Sequence, residues 1–300
     1  MRPGFVPCIF LIVILLPAGC TGTAPPAKST FSMDQGGVLI LKCAPVTISE
    51  EVILANETYT KSRIILHTES GDVVTHLAAP KSPKAAIVYA PGAGEKLSAH
   101  EERMVSYAQS GFAFLFVDTR GNGGETPGIP FSQQLVTQDY AKSGRGEMPQ
   151  YYLSVCDLVS ARGLLSEKFG VPVYAMGSSN GGRYAAVAAG VDPAFAGYVG
   201  ISTSDWGLYN SVVGQNVPGD LVRFAASVEP GTYLARISPR PVWIFHAKKD
   251  PIIPFESGEE FFRNAQEPKT FTEFSGDHGI NPDADEKIIA QWAQIYAPRG

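Results

Sequence analysis

Three hundred residues, 44% of them apolar and only 18% charged, with 31 glycines and 23 prolines, suffice for a large, turn-rich α/β core. The net charge is only −5 and no run of lysine or arginine occurs, so nucleic-acid binding has no electrostatic footing. The four cysteines, Cys8, Cys20, Cys43 and Cys156, lack Cys-x-x-Cys or related spacing, so no metal is expected, and no other feature calls for a cofactor.

Met1-Arg2 gives a short positive start, and Phe5 to Leu16 is almost wholly apolar. That run is too short for a membrane span, which needs about 20 residues, and suits the h-region of a secretory leader. Ala18-Gly19-Cys20 resembles the end of a prokaryotic lipoprotein box, although Pro17 stands where that box has an aliphatic residue. The resemblance implies a leader over residues 1–19, lipid on Cys20 and a membrane-anchored or cell-surface protein; plain secretion is the first alternative and an uncleaved anchor the last. Thr21 to Ser32 is small, polar and proline-bearing, so residues 20–36 read as a flexible tether and 37–300 as one catalytic domain. After export, Cys43 and Cys156 would remain, either as a disulfide or as two buried thiols.

Pro45 to Leu54, Tyr59 to Thr68 and Asp72 to Ala79 carry β-branched strand patterns, an antiparallel opening. Ala85 to Ala90 is a buried strand that ends in Pro91-Gly92-Ala93-Gly94. Ser98-Ala99-His100-Glu101 reads as a capping box at the start of a helix ending near Gly111. Phe112 to Val117 is the next strand, followed by Asp118-Thr119-Arg120-Gly121-Asn122-Gly123, in which Asp118 and Arg120 read as a loop-bracing ion pair. Tyr151, Val155, Leu158, Ala161 and Leu165 recur at helical spacing over Gln150 to Lys168. Strands at Tyr198–Ile201, Val242–His246 and Thr270–Phe274 and a closing helix around Ile288, Ile289, Trp292 and Ile295 complete an alternation that implies βαβ units and a largely parallel sheet.

The central stretch is Gly177-Ser178-Ser179-Asn180-Gly181-Gly182, between the apolar run Val171 to Met176 and an alanine-rich helix. Gly-x-Ser-x-Gly at a strand–helix turn lifts the hydroxyl above the sheet, and the glycines let strand and helix come close. A serine becomes a nucleophile only beside a base held in the right tautomer by an acid. Asp250, in His246-Ala247-Lys248-Lys249-Asp250-Pro251, and His278, in Gly276-Asp277-His278-Gly279, each follow a strand in the order this arrangement requires. Asp277 rivals Asp250, and His67, His76, His100 and His246 rival His278, but none of these has the same order and loop position.

With those motifs in place, the chain resembles the α/β-hydrolase superfamily over essentially its whole mature length, and Ser179-Asn180-Gly181-Gly182 is most similar to the prolyl-oligopeptidase and dienelactone-hydrolase branches. The resemblance implies a mostly parallel sheet flanked by helices, and a triad of Ser179, Asp250 and His278. It also implies an oxyanion hole from the N–H groups of Asn180 and Ala93, with Gly94 as the fallback and Pro91 standing where the family has histidine. In such folds a segment like Ser204–Ser238 often caps the site, although its aromatic residues serve equally as packing; Ile129–Pro149 is a second candidate wall. The expected activity is hydrolysis of a small-molecule carboxylic ester. A small serine peptidase and a non-catalytic surface binding module are the alternatives.

Overall fold

The computed structural model describes residues 28–297. Cys20 and the leader therefore lie outside the described residues. Strands β1 (Thr30–Met33) and β2 (Leu39–Lys42) form an antiparallel hairpin separate from the main sheet. Asp34 builds its turn, with Oδ1 accepting the N–H groups of Gly36 at 2.9 Å and Val38 at 2.8 Å. Phe31 of β1 packs edge-on against Tyr152, with ring centroids 5.0 Å apart. The tether read over residues 20–36 is thus too long, because β1 and its turn already belong to the folded body.

A nine-stranded sheet follows, in the order β11-β10-β9-β8-β6-β7-β5-β4-β3. Strands β3 (Thr47–Ala55), β4 (Thr60–Thr68) and β5 (Gly71–Ala79) pair antiparallel, and β5 also runs antiparallel to β7 (Phe112–Val117). From β7 onward every pair is parallel: β6 (Ala85–Ala90), β8 (Val173–Ser178), β9 (Tyr198–Ile201), β10 (Val242–Ala247) and β11 (Lys269–Phe274). The parallel strands other than the edge strand β11 read as near-continuous apolar runs because both faces are covered, which needs crossover helices on each side.

The period-two alternation sorts β7 cleanly. Phe112, Phe114 and Phe116 face a layer with Met104 and Tyr107 of α1 (Glu101–Gln109) and Trp292 of α9 (Pro282–Ile295). Ala113, Leu115 and Val117 face the opposite layer, which contains α3 (Gln150–Phe169) and α4 (Asn180–Val191). The capping box expected at Ser98–Glu101 does not form. Leu97–Ala99 is a 3₁₀ turn, and His100 stands at the N-cap of α1 with no side-chain cap. Helix α2 (Gln133–Gly144) lies in the segment read as a wall, and α5 (Leu208–Val212), α6 (Gly219–Val228) and α7 (Gly231–Ile237) in the segment read as a cap. Of these, α7 is core, with Tyr233, Leu234 and Ile237 buried, while Phe224 of α6 meets Tyr140 of α2 at 5.6 Å. Helix α8 (Phe255–Arg263) follows β10. Cys43, just after β2, is disulfide-bonded to Cys156 on α3, which resolves the two readings left open for those thiols.

Candidate active site

Strand β8 runs to Ser178 and α4 begins at Asn180, so Ser179 is the whole turn between them. Its backbone sits at φ 51°, a left-handed conformation that is uncommon for a residue with a side chain. Neighbours hold it there: Ser179 N–H donates to Ile201 C=O at 2.8 Å, and Thr203 Oγ1 donates to Ser179 C=O at 2.8 Å. Gly181 is required because a Cβ there would collide with the backbone of Ala90 and Pro91 at the end of β6. Asn180 opens α4, so that helix's N-terminal N–H groups and positive dipole end lie beside the serine.

The loops after β10 and β11 bring the other two residues to this turn. His278 Nε2 lies 2.8 Å from Ser179 Oγ, and His278 Nδ1 lies 2.9 and 2.8 Å from Asp250 Oδ1 and Oδ2. A carboxylate can only accept, so Nδ1 carries the proton and the Nε2 lone pair is left for the serine hydroxyl. The Asp250 side chain is fully buried, and that of His278 is 20% exposed. Burial would raise the Asp250 carboxyl, but the N–H groups of Ile253 and Ile252, with His278 beside it, outweigh burial and hold it below its ordinary value.

The rivals fall elsewhere. Asp277 is exposed and makes no hydrogen bond to His278. His246 is buried beneath the acid loop, donates from Nε2 to Ile253 C=O at 3.0 Å, and is held below its usual range by burial. His100 lies 3.1 Å from Glu95 on the loop after β6. The ion pair expected between Asp118 and Arg120 is absent. Arg120 instead pairs bidentately with Asp157 of α3, at 2.7 and 3.0 Å, and Asp118 accepts the Thr126 N–H at 2.7 Å. Asp157 is 37 positions away, so only the folded chain brings it to Arg120.

Ala93 and Asn180 line one cavity of about 210 Å³ with Gly94, Asn122, Pro130, Phe131 and Tyr184. Gly94 cannot serve as the fallback donor, because its N–H is already given to Asn122 Oδ1 at 3.0 Å. Phe131 stacks on Trp206 at 3.6 Å, and Arg183 covers Trp206 at 4.0 Å, so the two segments read as wall and cap meet beside this cavity. Glu95 and Asn122, whose side chains hold the loop after β6, went unremarked in sequence. Asn122 lies in the segment singled out after β7, but its partners lie on another loop. Among the described residues no group of three or more His, Cys, Asp or Glu side chains is placed to hold a metal ion.

A family model described as "Serine aminopeptidase, S33" matches residues 81–207. A curated relative, the uncharacterized protein YfhR of Salmonella typhi, is 25% identical over 213 residues, covering 68% of this chain and 67% of that protein. Among solved structures, acetyl xylan esterase 1 from Thermoanaerobacterium matches with a TM-score of 0.67 at 14% identity, covering 85% of this chain and 89% of the other. Glucuronoyl esterase from Solibacter usitatus matches with a TM-score of 0.59 at 12% identity, covering 90% and 89%. The chain has the α/β-hydrolase fold. Its β5-to-β11 sheet and its strand–serine–helix turn belong to that fold, and the loops after β10 and β11 meet at the turn.

Proposed function

We propose that this α/β-hydrolase is a serine esterase that cleaves compact carboxylic esters through an acyl-enzyme on Ser179. The observation that carries the reading is the unbroken line Asp250–His278–Ser179, with every contact between 2.8 and 2.9 Å. In the first step His278 Nε2 takes the Ser179 proton as Oγ bonds to the ester carbonyl carbon, and the buried Asp250 carboxylate stabilises the imidazolium. The N–H groups of Asn180 and Ala93 receive the negative oxygen of the tetrahedral intermediate. His278 then gives its proton to the departing alcohol, and water, activated by the same imidazole, releases the acid.

The small cavity beside the two donors favours a short acyl group. The polar residues Asp205, Asn210, Gln215, Asn216 and Asp220 interrupt the cap, so saturation without activation at an oil–water interface is expected. Two solved neighbours are named as esterases, which favours an ester. The family description favours a second reading, an aminopeptidase. A short-chain p-nitrophenyl ester and an aminoacyl p-nitroanilide separate the two: the esterase reading expects turnover of the ester, abolished in Ser179→Ala, and little of the anilide. Faster cleavage of the anilide would overturn it.

Export, with lipid on Cys20, is part of the proposal. The Cys43–Cys156 disulfide supports it, since such bonds persist in oxidising compartments.

A further inference from the structure

Oxyanion donors must be preset, because a loop that reorganises during the reaction returns much of the stabilisation it supplies. Ala93 is poorly suited to this on its own: it lies exposed in a glycine-rich loop, next to Gly94 at φ +75°. Its N–H makes no hydrogen bond among the described residues. Yet both of its neighbours are tied: the Glu95 N–H closes a turn on Gly92 C=O at 3.1 Å, and one side chain also donates to that carbonyl and holds the Gly94 N–H. Asn122 Oδ1 accepts the Gly94 N–H at 3.0 Å, while Nδ2 donates to Gly92 C=O at 3.1 Å and to Glu95 C=O at 2.9 Å. One primary amide thus gives both donor hydrogens and an acceptor to a single short loop.

The bond to Gly92 C=O has a geometric consequence. That carbonyl and the Ala93 N–H belong to one planar trans peptide unit, in which the two groups point in opposite directions. Holding the carbonyl toward Asn122 therefore aims the Ala93 N–H away from it. The Glu95 carboxylate fixes the preceding peptide by accepting the Gly92 N–H at 2.8 Å. Asn122 is itself well set: it is 8% exposed, and its N–H closes a turn on Thr119 C=O at 3.0 Å.

We propose that Asn122 is a positioning residue that presets the Ala93 N–H as the second oxyanion donor. The inference rests on the esterase reading and on Ala93 in that role. It distinguishes Asn from Asp at this position, because a carboxylate still accepts from Gly94 N–H but cannot donate to the Gly92 carbonyl. Oriented donors stabilise the intermediate more than the bound ester, so their misplacement should appear in kcat rather than in KM.

The test compares wild type, Asn122→Asp and Asn122→Ala in the full protein. It measures kcat and KM on a short-chain p-nitrophenyl ester, the inhibition constant of a trifluoromethyl ketone whose serine adduct carries an oxyanion, and Tm. The expected result is a fall in kcat of about 10- to 100-fold in both variants, below the loss for deleting a donor outright, with KM changed less than about threefold. The ketone should weaken by the same factor as kcat/KM. Folded variants with kcat within about threefold of wild type, or with reduced kcat/KM but unaltered ketone affinity, would overturn the proposal. If Asn122→Ala does not fold, the size-conserving Asn122→Asp decides. Wild type that is not labelled at Ser179 by a fluorophosphonate overturns the esterase reading, and this inference with it. Labelled, active wild type with unimpaired variants overturns this inference alone.

Discussion

At His278 the imidazole is pulled from both sides: Asp250 fixes the proton on Nδ1, and Ser179 presents its hydroxyl to Nε2. Asp250→Asn replaces an acceptor with an amide that can offer a donor to Nδ1, which favours the wrong tautomer. Steady-state kinetics should show kcat reduced by about 10³- to 10⁴-fold with the fold intact. Asp277→Asn should stay within about twofold of wild type, because Asp277 is exposed and reaches nothing in the site; comparable losses in both variants would undo the assignment of the acid. A second carboxyl of interest is that of Asp205, which is next to Trp206 in the chain and accepts the Gly231 N–H. Burial, and then the nearby Glu229 carboxylate, push its pKa up to about 7. The folded state therefore holds a proton that the unfolded chain loses near pH 4, and the stability this confers is full below that pH and declines as pH rises toward 7. Asp205→Asn should remove that decline, giving a flatter Tm profile between about pH 4 and 7 and a higher Tm than wild type at pH 8. A variant whose Tm falls with pH as steeply as wild type would show that the decline has another source.

The buried strands and the strand–serine–helix turn were readable at the scale of elements because their apolar runs are unbroken and their loops carry chemistry. Strands β6, β7 and β9 fall at the expected positions, and Asp250 and His278 lie on the expected loops. Elements whose signal is tertiary were not readable. Helix α2 buries only Leu135 and Asp139, so its periodicity is weak, although Ser132 Oγ caps it by accepting the Leu135 N–H. Helix α8 contains Gly258, a residue type unfavourable in a helix interior. In the fold that glycine is needed, since a Cβ there would strike the His246 ring. The partnership of Arg120 with Asp157 rather than Asp118 was hidden for the same reason, as was the grip of Asn122 on a loop 30 residues away. Strand β8, helix α4 and strand β6 meet at Gly181, which makes a strong prediction. Gly181→Ala should cost about 3 kcal/mol or more in denaturant unfolding, or prevent folding, because the obstruction is backbone and cannot rotate aside. A folded variant within 1 kcal/mol of wild type would contradict the close approach argued for that turn.

Across the whole molecule, a sheet whose central parallel strands are covered on both faces holds the three loops in register, and the disulfide ties the N-terminal hairpin region to α3 over a separation of 113 residues. A cross-link that long should stabilise by roughly 3–5 kcal/mol. Cys43→Ser with Cys156→Ser should lower denaturation midpoints accordingly while leaving kcat at moderate temperature near wild type, since neither cysteine approaches Ser179. An unchanged midpoint would show that the bond does not constrain the chain. The proposed export makes a separate demand: mass spectrometry of protein from the native host should find Cys20 as a lipidated N-terminus, and an intact leader bearing unmodified Cys20 would contradict it. The central claim is covalent, and trapping tests it most directly. A short-chain acetyl ester is turned over, the reaction is quenched in acid during the burst, and the acetylated peptide is located by mass spectrometry. The account predicts one acetyl group on Ser179 in wild type and none in Ser179→Ala. Ester hydrolysis with no acyl group on Ser179, or with the acyl group on another residue, would contradict it.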